Sequence, residues 1–152
     1  MQRLGVCLVA IGVIAAGSAA GVAPAKNGKG TMCVLHAKLR AGPAGTTSRA
    51  KGHTHIKVRQ NGTIEYKTKI NNKAREEFFA GHVHEAPVGS AGPIVVPLFG
   101  GPPTSARHIK QKGTATPVAG TTGQDLCSNP SHYYVNYHTT AFPAGAIRGQ
   151  LH

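Results

Sequence analysis

"HTHIKVRQNGTIEYKTKI", residues 53–70, decides the fold class of this 152-residue chain. In its first half Thr54, Ile56 and Val58 alternate with His53, His55, Lys57 and Arg59. In its second half Ile64, Tyr66, Thr68 and Ile70 occupy every other position. Successive side chains of a strand point to opposite faces, so each half reads as a strand with one buried face. Asn61-Gly62 between them turns the backbone readily, and alternation on both sides of Asn-Gly is the strongest short-range hairpin signal. The stretch reads as an antiparallel hairpin.

The same pattern extends outward in both directions, with no sustained helical period. Strands are expected at 31–39 (TMCVLHAKL), 78–84 (FFAGHVH), 93–99 (PIVVPLF), 132–140 (HYYVNYHTT) and 146–151 (AIRGQL). Residues 109–118 (IKQKGTATPV) are a poor strand candidate, and Pro97 calls for an edge strand or a bulge. Residues 40–52, 71–77, 85–92, 100–108 and 119–131 read as connections, with room for one helical turn at most in 71–77. Many short strands at this spacing indicate an all-β, antiparallel fold, an immunoglobulin-like or Greek-key sandwich or barrel. No internal repeat or second domain is visible.

Residues 1–25 have the layout of a signal peptide: Arg3, an apolar stretch from Leu4 to Ala16, then small residues. Cleavage fits after Ala20 or after Ala25, the second being favoured. The apolar stretch is short for a span of about 20 residues. Residues 26–31 then form a short linker and 32–152 the domain, with no transmembrane segment, and the protein is expected to be secreted or periplasmic. Removing the leader leaves Cys33 and Cys127. In an oxidising compartment that pair reads as a disulfide closing the domain; free thiols or a thiolate metal site are the alternative, though CxxC spacing is missing.

Seventeen Lys and Arg against five Asp and Glu give a formal charge of +12. The basic residues are scattered singly along the strands, and aromatic residues for base stacking are few, which argues against a specific nucleic-acid partner. Loose adhesion to anionic envelope or matrix polymers is the simpler expectation. Five carboxylates leave little for a general acid–base pair, and no GxSxG or other nucleophile motif is present.

The candidate chemistry lies in histidines. In "GHVHE" (81–85), His82 and His84 flank Val83, so an inward Val83 turns both imidazoles outward. In "YYVNYH" (133–138), Tyr133, Val135 and Tyr137 make the apolar face, which leaves Asn136 and His138 on the other. If these strands are neighbours, His82, His84 and His138 converge. Three neutral imidazoles with an open position suit copper or zinc, and Glu85 is a candidate fourth ligand or outer acceptor. The competing reading is that these histidines pin strand ends by donating to loop carbonyls. A second pair, His53 and His55, stands beside Lys57 and Arg59, whose charges oppose a bound cation. His36, His108, His132 and His152 have no legible company.

"GHVHEAPVGSAGPIVVPLF" (81–99) and "YYVNYHTTAFPAGAIRGQL" (133–151) resemble the two signature blocks of the CHRD (chordin-type) domain. With "LHAKLRAGPAG" and the hairpin in the positions of its opening strands, the resemblance runs from about Met32 to Leu151. It implies an extracellular all-β module without an assigned activity, and an unidentified extracellular protein as partner. Its recurrent positions fall on His82, His84, Gly92, Pro93, Asn136, His138, Phe142, Pro143, Gly145, Arg148 and Gly149. Two departures stand out. Ala146 stands where many members have an acidic residue, and "TTGQDLCSNPSH" replaces a short helical, Leu- and Ala-rich stretch. "HVHE" is also similar to the copper-ligand block of copper–zinc superoxide dismutases. That similarity implies copper at His82, His84 and His138 beside Arg148. A bridging histidine and a zinc loop are not recognisable between 85 and 110. The sequence therefore reads as a non-enzymatic binding module with a copper or zinc site, Asn136 and Arg148 being orienting or anion-attracting neighbours. A copper-dependent redox enzyme is the alternative.

Overall fold

The hairpin is the centre of one half of the molecule. In a computed structural model, which describes residues 30–42 and 46–152, β2 (Lys51–Arg59) and β3 (Ile64–Asn71) pair from Lys51↔Asn71 to Val58↔Ile64. The turn closes with the Gly62 N–H donating to the Arg59 carbonyl (2.9 Å) and the Arg59 N–H to Thr63 (2.8 Å). The expected signal peptide and most of the linker lie outside the described residues.

The remaining strands are β1 (Thr31–Ala41), β4 (Phe78–Glu85), β5 (Ile94–Thr104), β6 (His108–Ala115), β7 (Tyr133–Thr139) and β8 (Ile147–Gln150). Every pairing is antiparallel, and the strands form one sheet in the order β5-β4-β7-β8-β1-β2-β3-β6. The sheet curls almost into a barrel. Its edge strands β5 and β6 follow one another in the chain, and the Val118 N–H just past β6 donates to the Val95 carbonyl of β5 (2.9 Å). Leu39, Ile56, Ile64, Phe78, Val135 and Ile147 are fully buried in the interior. Each contributes roughly 1.5–3 kcal/mol relative to an exposed position. One polar chain crosses this core: the Tyr137 hydroxyl donates to Thr68 Oγ1 (2.9 Å), which also bonds Thr54 Oγ1 (2.8 Å). Burial raises the Tyr137 phenol pKa, so the group stays protonated and able to donate.

Three sequence expectations are corrected. Residues 109–118 contain a full edge strand: β6 pairs with β3 from Ala115 to His108, its Ile109 and Ala115 facing inward and its lysines outward. The connection at 100–108 is mostly strand, because β5 runs on to Thr104 opposite Phe78 through register shifts. Pro97 sits opposite His82 beside one of those shifts on an edge strand, as its missing N–H requires. The loop at 119–131 holds a helix, α1 (Gly123–Ser128), too short to show a period. Thr122 and Asp125 form a capping box at its start, and Leu126 is fully buried.

Cys127 of α1 and Cys33 of β1 form the disulfide, with Cα atoms 5.9 Å apart and 94 residues of separation. α1 is thus anchored by one buried leucine and one covalent bond. No described helix is long and apolar enough to cross a membrane. In the chain-entropy account, closing a loop of this length contributes roughly 4–5 kcal/mol. A Cys33→Ala/Cys127→Ala variant should lose stability of that order in denaturant titrations. A loss below about 1 kcal/mol would mean that the docking of Leu126 alone holds the helix.

Candidate metal centre

β7 lies between β4 and β8, and its register sets the site. His82 is paired with Asn136 and Asn136 with Arg148, forming one row; His84, Tyr134 and Gln150 form the next. His138 is paired with Ala80, so its imidazole follows Asn136 on the same face. One ring nitrogen from each of His82, His84 and His138 lies within 4.8 Å of the other two. Two metal–nitrogen bonds of about 2.0–2.1 Å span about 3.4 Å at a tetrahedral angle, so the rings are clustered and would have to draw closer to hold an ion.

Two turns decide which nitrogens are available. His84 Nδ1 lies 2.9 Å from the Gly92 carbonyl, and His138 Nδ1 lies 2.9 Å from the Pro143 carbonyl. A carbonyl only accepts, so both rings donate from Nδ1 and present a bare Nε2 lone pair when neutral. His82 Nδ1 is 3.1 Å from His138 Nε2. Without an ion this contact is a hydrogen bond in which His82 Nδ1–H donates to the bare His138 Nε2; moving the His82 proton to Nε2 frees a third lone pair at the same point. The set is then His82 Nδ1, His84 Nε2 and His138 Nε2, each of the last two oriented by a backbone acceptor as metal-bound histidines commonly are. The two readings of these histidines are thus compatible: the bonds that pin the turns also aim the rings.

The turns cover the face that alternation alone would leave in water. His84 and His138 are buried and His82 is half-buried. Residues 86–93 fold over the sheet and are held from below. Gln150 Nε2 donates to the Ala86 carbonyl (2.8 Å), Arg148 Nη1 to the Ser90 carbonyl (3.0 Å), and the Gly92 N–H to the Tyr134 hydroxyl (3.3 Å). A side chain at Gly92 would overlap the Glu85 carbonyl, so only glycine permits this approach. Residues 141–145 are held by His138 and by Asn136 Nδ2, which donates to the Ala144 carbonyl (3.1 Å). Gly145 has φ +133°, and a Cβ there would strike the Asn136 amide. Tyr134 stacks on His84 (5.0 Å, 11° between planes), and the Arg148 guanidinium lies 3.7 Å from the Tyr134 ring centroid.

Burial, with His138 and His84 as neighbours, lowers the His82 pKa to about 4. Burial also lowers His84 and His138, each opposed by the bond to its carbonyl. All three rings are neutral at pH 7, the form that ligates metal. Buried polar atoms without a hydrogen-bond partner gather here too: among the described residues they are His84 Nε2, Asn136 Oδ1 and Arg148 Nη2.

The structure therefore brings together His82, His84 and His138, with Asn136 and Arg148 beside them. It does not bring Glu85, which is exposed at the end of β4 on the side of Val83 and acts electrostatically on inward-facing Tyr133. His108 is on β6 opposite Asn71, away from the triad. Tyr134 and Gln150 were not singled out from sequence, although period two already places them with Asn136 and Arg148. The acceptor carbonyls of Gly92 and Pro143 left no sequence signal as acceptors.

A family model for the CHRD domain matches residues 35–151, which include both site strands and both covering turns. The chain belongs to the CHRD-domain family. No match was found among curated proteins or among solved structures. In this CHRD domain the family blocks are the segments that build the histidine centre.

Two outcomes follow. The unfolded His82 takes a proton near pH 6.5, whereas the folded one resists until about pH 4. The unfolded state binds more protons in that window, so the metal-free protein loses stability as pH falls through it, with no further loss from this source below it. Unfolding midpoints measured in chelator between about pH 7 and about pH 4.5 should show the decline, and His82→Gln should make it shallower, leaving the part due to His84 and His138. An unchanged slope in the variant counts against a buried neutral His82. Gly145→Ala should cost about 1–3 kcal/mol through its positive φ, read by thermal unfolding.

Proposed function

We propose that this CHRD domain is an exported binding module that holds a copper or zinc ion through His82 Nδ1, His84 Nε2 and His138 Nε2. The observation that carries the reading is the pair of turn carbonyls. They take the Nδ1 protons of His84 and His138, which leaves both Nε2 atoms bare, that of His138 facing His82 at 3.1 Å and that of His84 buried without a partner within the same cluster. Histidines serving only as turn pins have no need to face one another or to leave His84 Nε2 buried without a partner. Copper is favoured over zinc. The donor set is three imidazoles with neither thiolate nor carboxylate, and divalent copper stands above zinc in intrinsic affinity for such ligands. Three protein ligands leave a coordination position for water or a small molecule. Export to a secreted or periplasmic location is supported by the layout of residues 1–25 and by the Cys33–Cys127 disulfide.

The test is metal content by mass spectrometry after loading with copper or zinc and dialysis. Wild type should retain near-stoichiometric metal and gain thermal stability from it. His82→Ala should fold, because its ring holds no turn carbonyl, and should lose both the metal and the gain. Metal-free wild type, or a His82→Ala/His138→Ala variant that retains metal equally well, would overturn the assignment.

A further inference from the structure

The outer face of β1, β2, β3 and β6 carries a second arrangement that the metal reading does not use. Antiparallel pairing lines up His36, His55, Lys67 and Lys112 in one row across the four strands. The adjoining row is Lys38, His53, Lys69 and Lys110. These eight outward positions hold five lysines and three histidines, and all eight are exposed. His152 continues the first row through paired backbone bonds with His36 (2.8 and 3.0 Å). Arg40 and Lys51 extend the second row at the next outward positions of β1 and β2. Glu65 is the carboxylate on this face, and it is bound by Arg59 (2.7 and 2.9 Å). Neighbours across strands stand about 4.8 Å apart and same-face neighbours along a strand about 6.7 Å apart, so the positive charges form a grid.

The basic residues that look scattered along the chain are therefore gathered by the register. Like charges at this spacing repel, and among the described residues Glu65, bound by Arg59 and near Lys67, is the one carboxylate beside the two rows, so the face keeps a large positive excess and is complementary to an anion of matching density. Two open basins of about 500 and 650 Å³ lie on it, sharing His53 and His55 in their walls. The surface is dished, and a flexible chain can lie along it.

We infer that this face binds a linear anionic polysaccharide, its sulfate or carboxylate groups seated between the Lys/His rows. Two other polyanions fit less well. The rows hold no Trp, Tyr or Phe on which bases would stack, and no helix or ribbon projects from them to enter a duplex groove. The exposed apolar side chains on this face are Met32 and Val34 of β1, beyond the first row, too small a patch to enter a bilayer. Lysine predominates over arginine, which suits many exchangeable point-charge contacts better than fixed bidentate ones.

The protein, purified from an exporting host with its disulfide formed, is titrated with heparin, polygalacturonate, a short DNA duplex and vesicles of mixed phosphatidylcholine and phosphatidylglycerol. One or both polysaccharides should bind most tightly at low salt, with affinity falling linearly in log salt. Tighter heparin binding assigns sulfate, and tighter polygalacturonate binding assigns carboxylate. Lys67→Gln/Lys69→Gln should weaken polysaccharide binding roughly fivefold or more, while Arg75→Gln/Arg107→Gln, with the same charge loss in the connecting loops, should stay within about twofold. Equal melting temperatures show that both variants are folded. Three results would overturn the inference: no polysaccharide binding at low salt, DNA or vesicles bound more tightly than either polysaccharide, or equal weakening by both double variants.

Discussion

The histidine centre depends on the register of β7 between β4 and β8. Side chains alternate along a strand, so a slip of one residue would carry His138 and Asn136 into the core and drive Val135 and Tyr137 out. Several contacts oppose that slip at once. Val135 and Tyr137 are fully buried, and the Tyr137 hydroxyl reaches across the interior to Thr68. That bond links β7 to the β2–β3 hairpin, so the hairpin that defines the fold also fixes the strand that carries the site. The slip would expose Val135 and Tyr137 and bury Asn136 and His138 in their place, and burying a polar group without a partner costs about 1–3 kcal/mol.

Register alone would give an imidazole cluster in water. The two turns change its chemistry. By covering the face they exclude solvent, which makes protonation costly and keeps the rings neutral; by accepting from Nδ1 they fix which nitrogen is left bare. The turns are in turn held by side chains of β7 and β8, namely Tyr134, Asn136, Arg148 and Gln150. His82, His84, His138, Asn136, Arg148, Gly92 and Gly145 are thus mutually dependent, each a ligand candidate, a turn anchor or a glycine that gives the turn room. Asn136 and Arg148 each serve as an anchor through one atom and leave another buried atom without a partner beside the rings.

Much of this was legible in the sequence because it is local. Alternation at 53–70 gave the hairpin, the same rule put His82 and His84 together opposite Val83, and the even cysteine pair gave the disulfide. What was not legible depends on distance along the chain. α1 is one capped turn and a half whose stability comes from Leu126 and Cys127 meeting β1 and the core, so no period announces it. β6 has few inward apolar residues because it lies at the sheet edge, and it looks polar until β3 is set beside it. The cation rows join residues from four strands, and only the pairing reveals them. Glu85 shows the reverse case: adjacency in sequence to His84 suggested adjacency in space, and alternation sent it to the other side.

The chain contains the motif His-x-His twice on outward positions, and its two settings explain why the motif itself carries so little meaning. His82 and His84 are covered, backed by carbonyls and approached by one cation, Arg148, which is engaged by Tyr134 and Ser90. His53 and His55 are exposed among Lys38, Lys67 and Lys69, and His55 is also crowded by His36, with ring centroids 4.6 Å apart. In water, a unit charge about 5 Å from another costs about 0.8 kcal/mol, and a divalent ion beside a lysine costs about twice that. Several such lysines cancel much of what two imidazoles can offer a metal, whereas an anion gains from every one of them. The barrel thus segregates its charge. It gathers the lysines on the face of β1, β2, β3 and β6 and the covered imidazoles on the face of β4, β7 and β8, where the one nearby cation, Arg148, is already engaged.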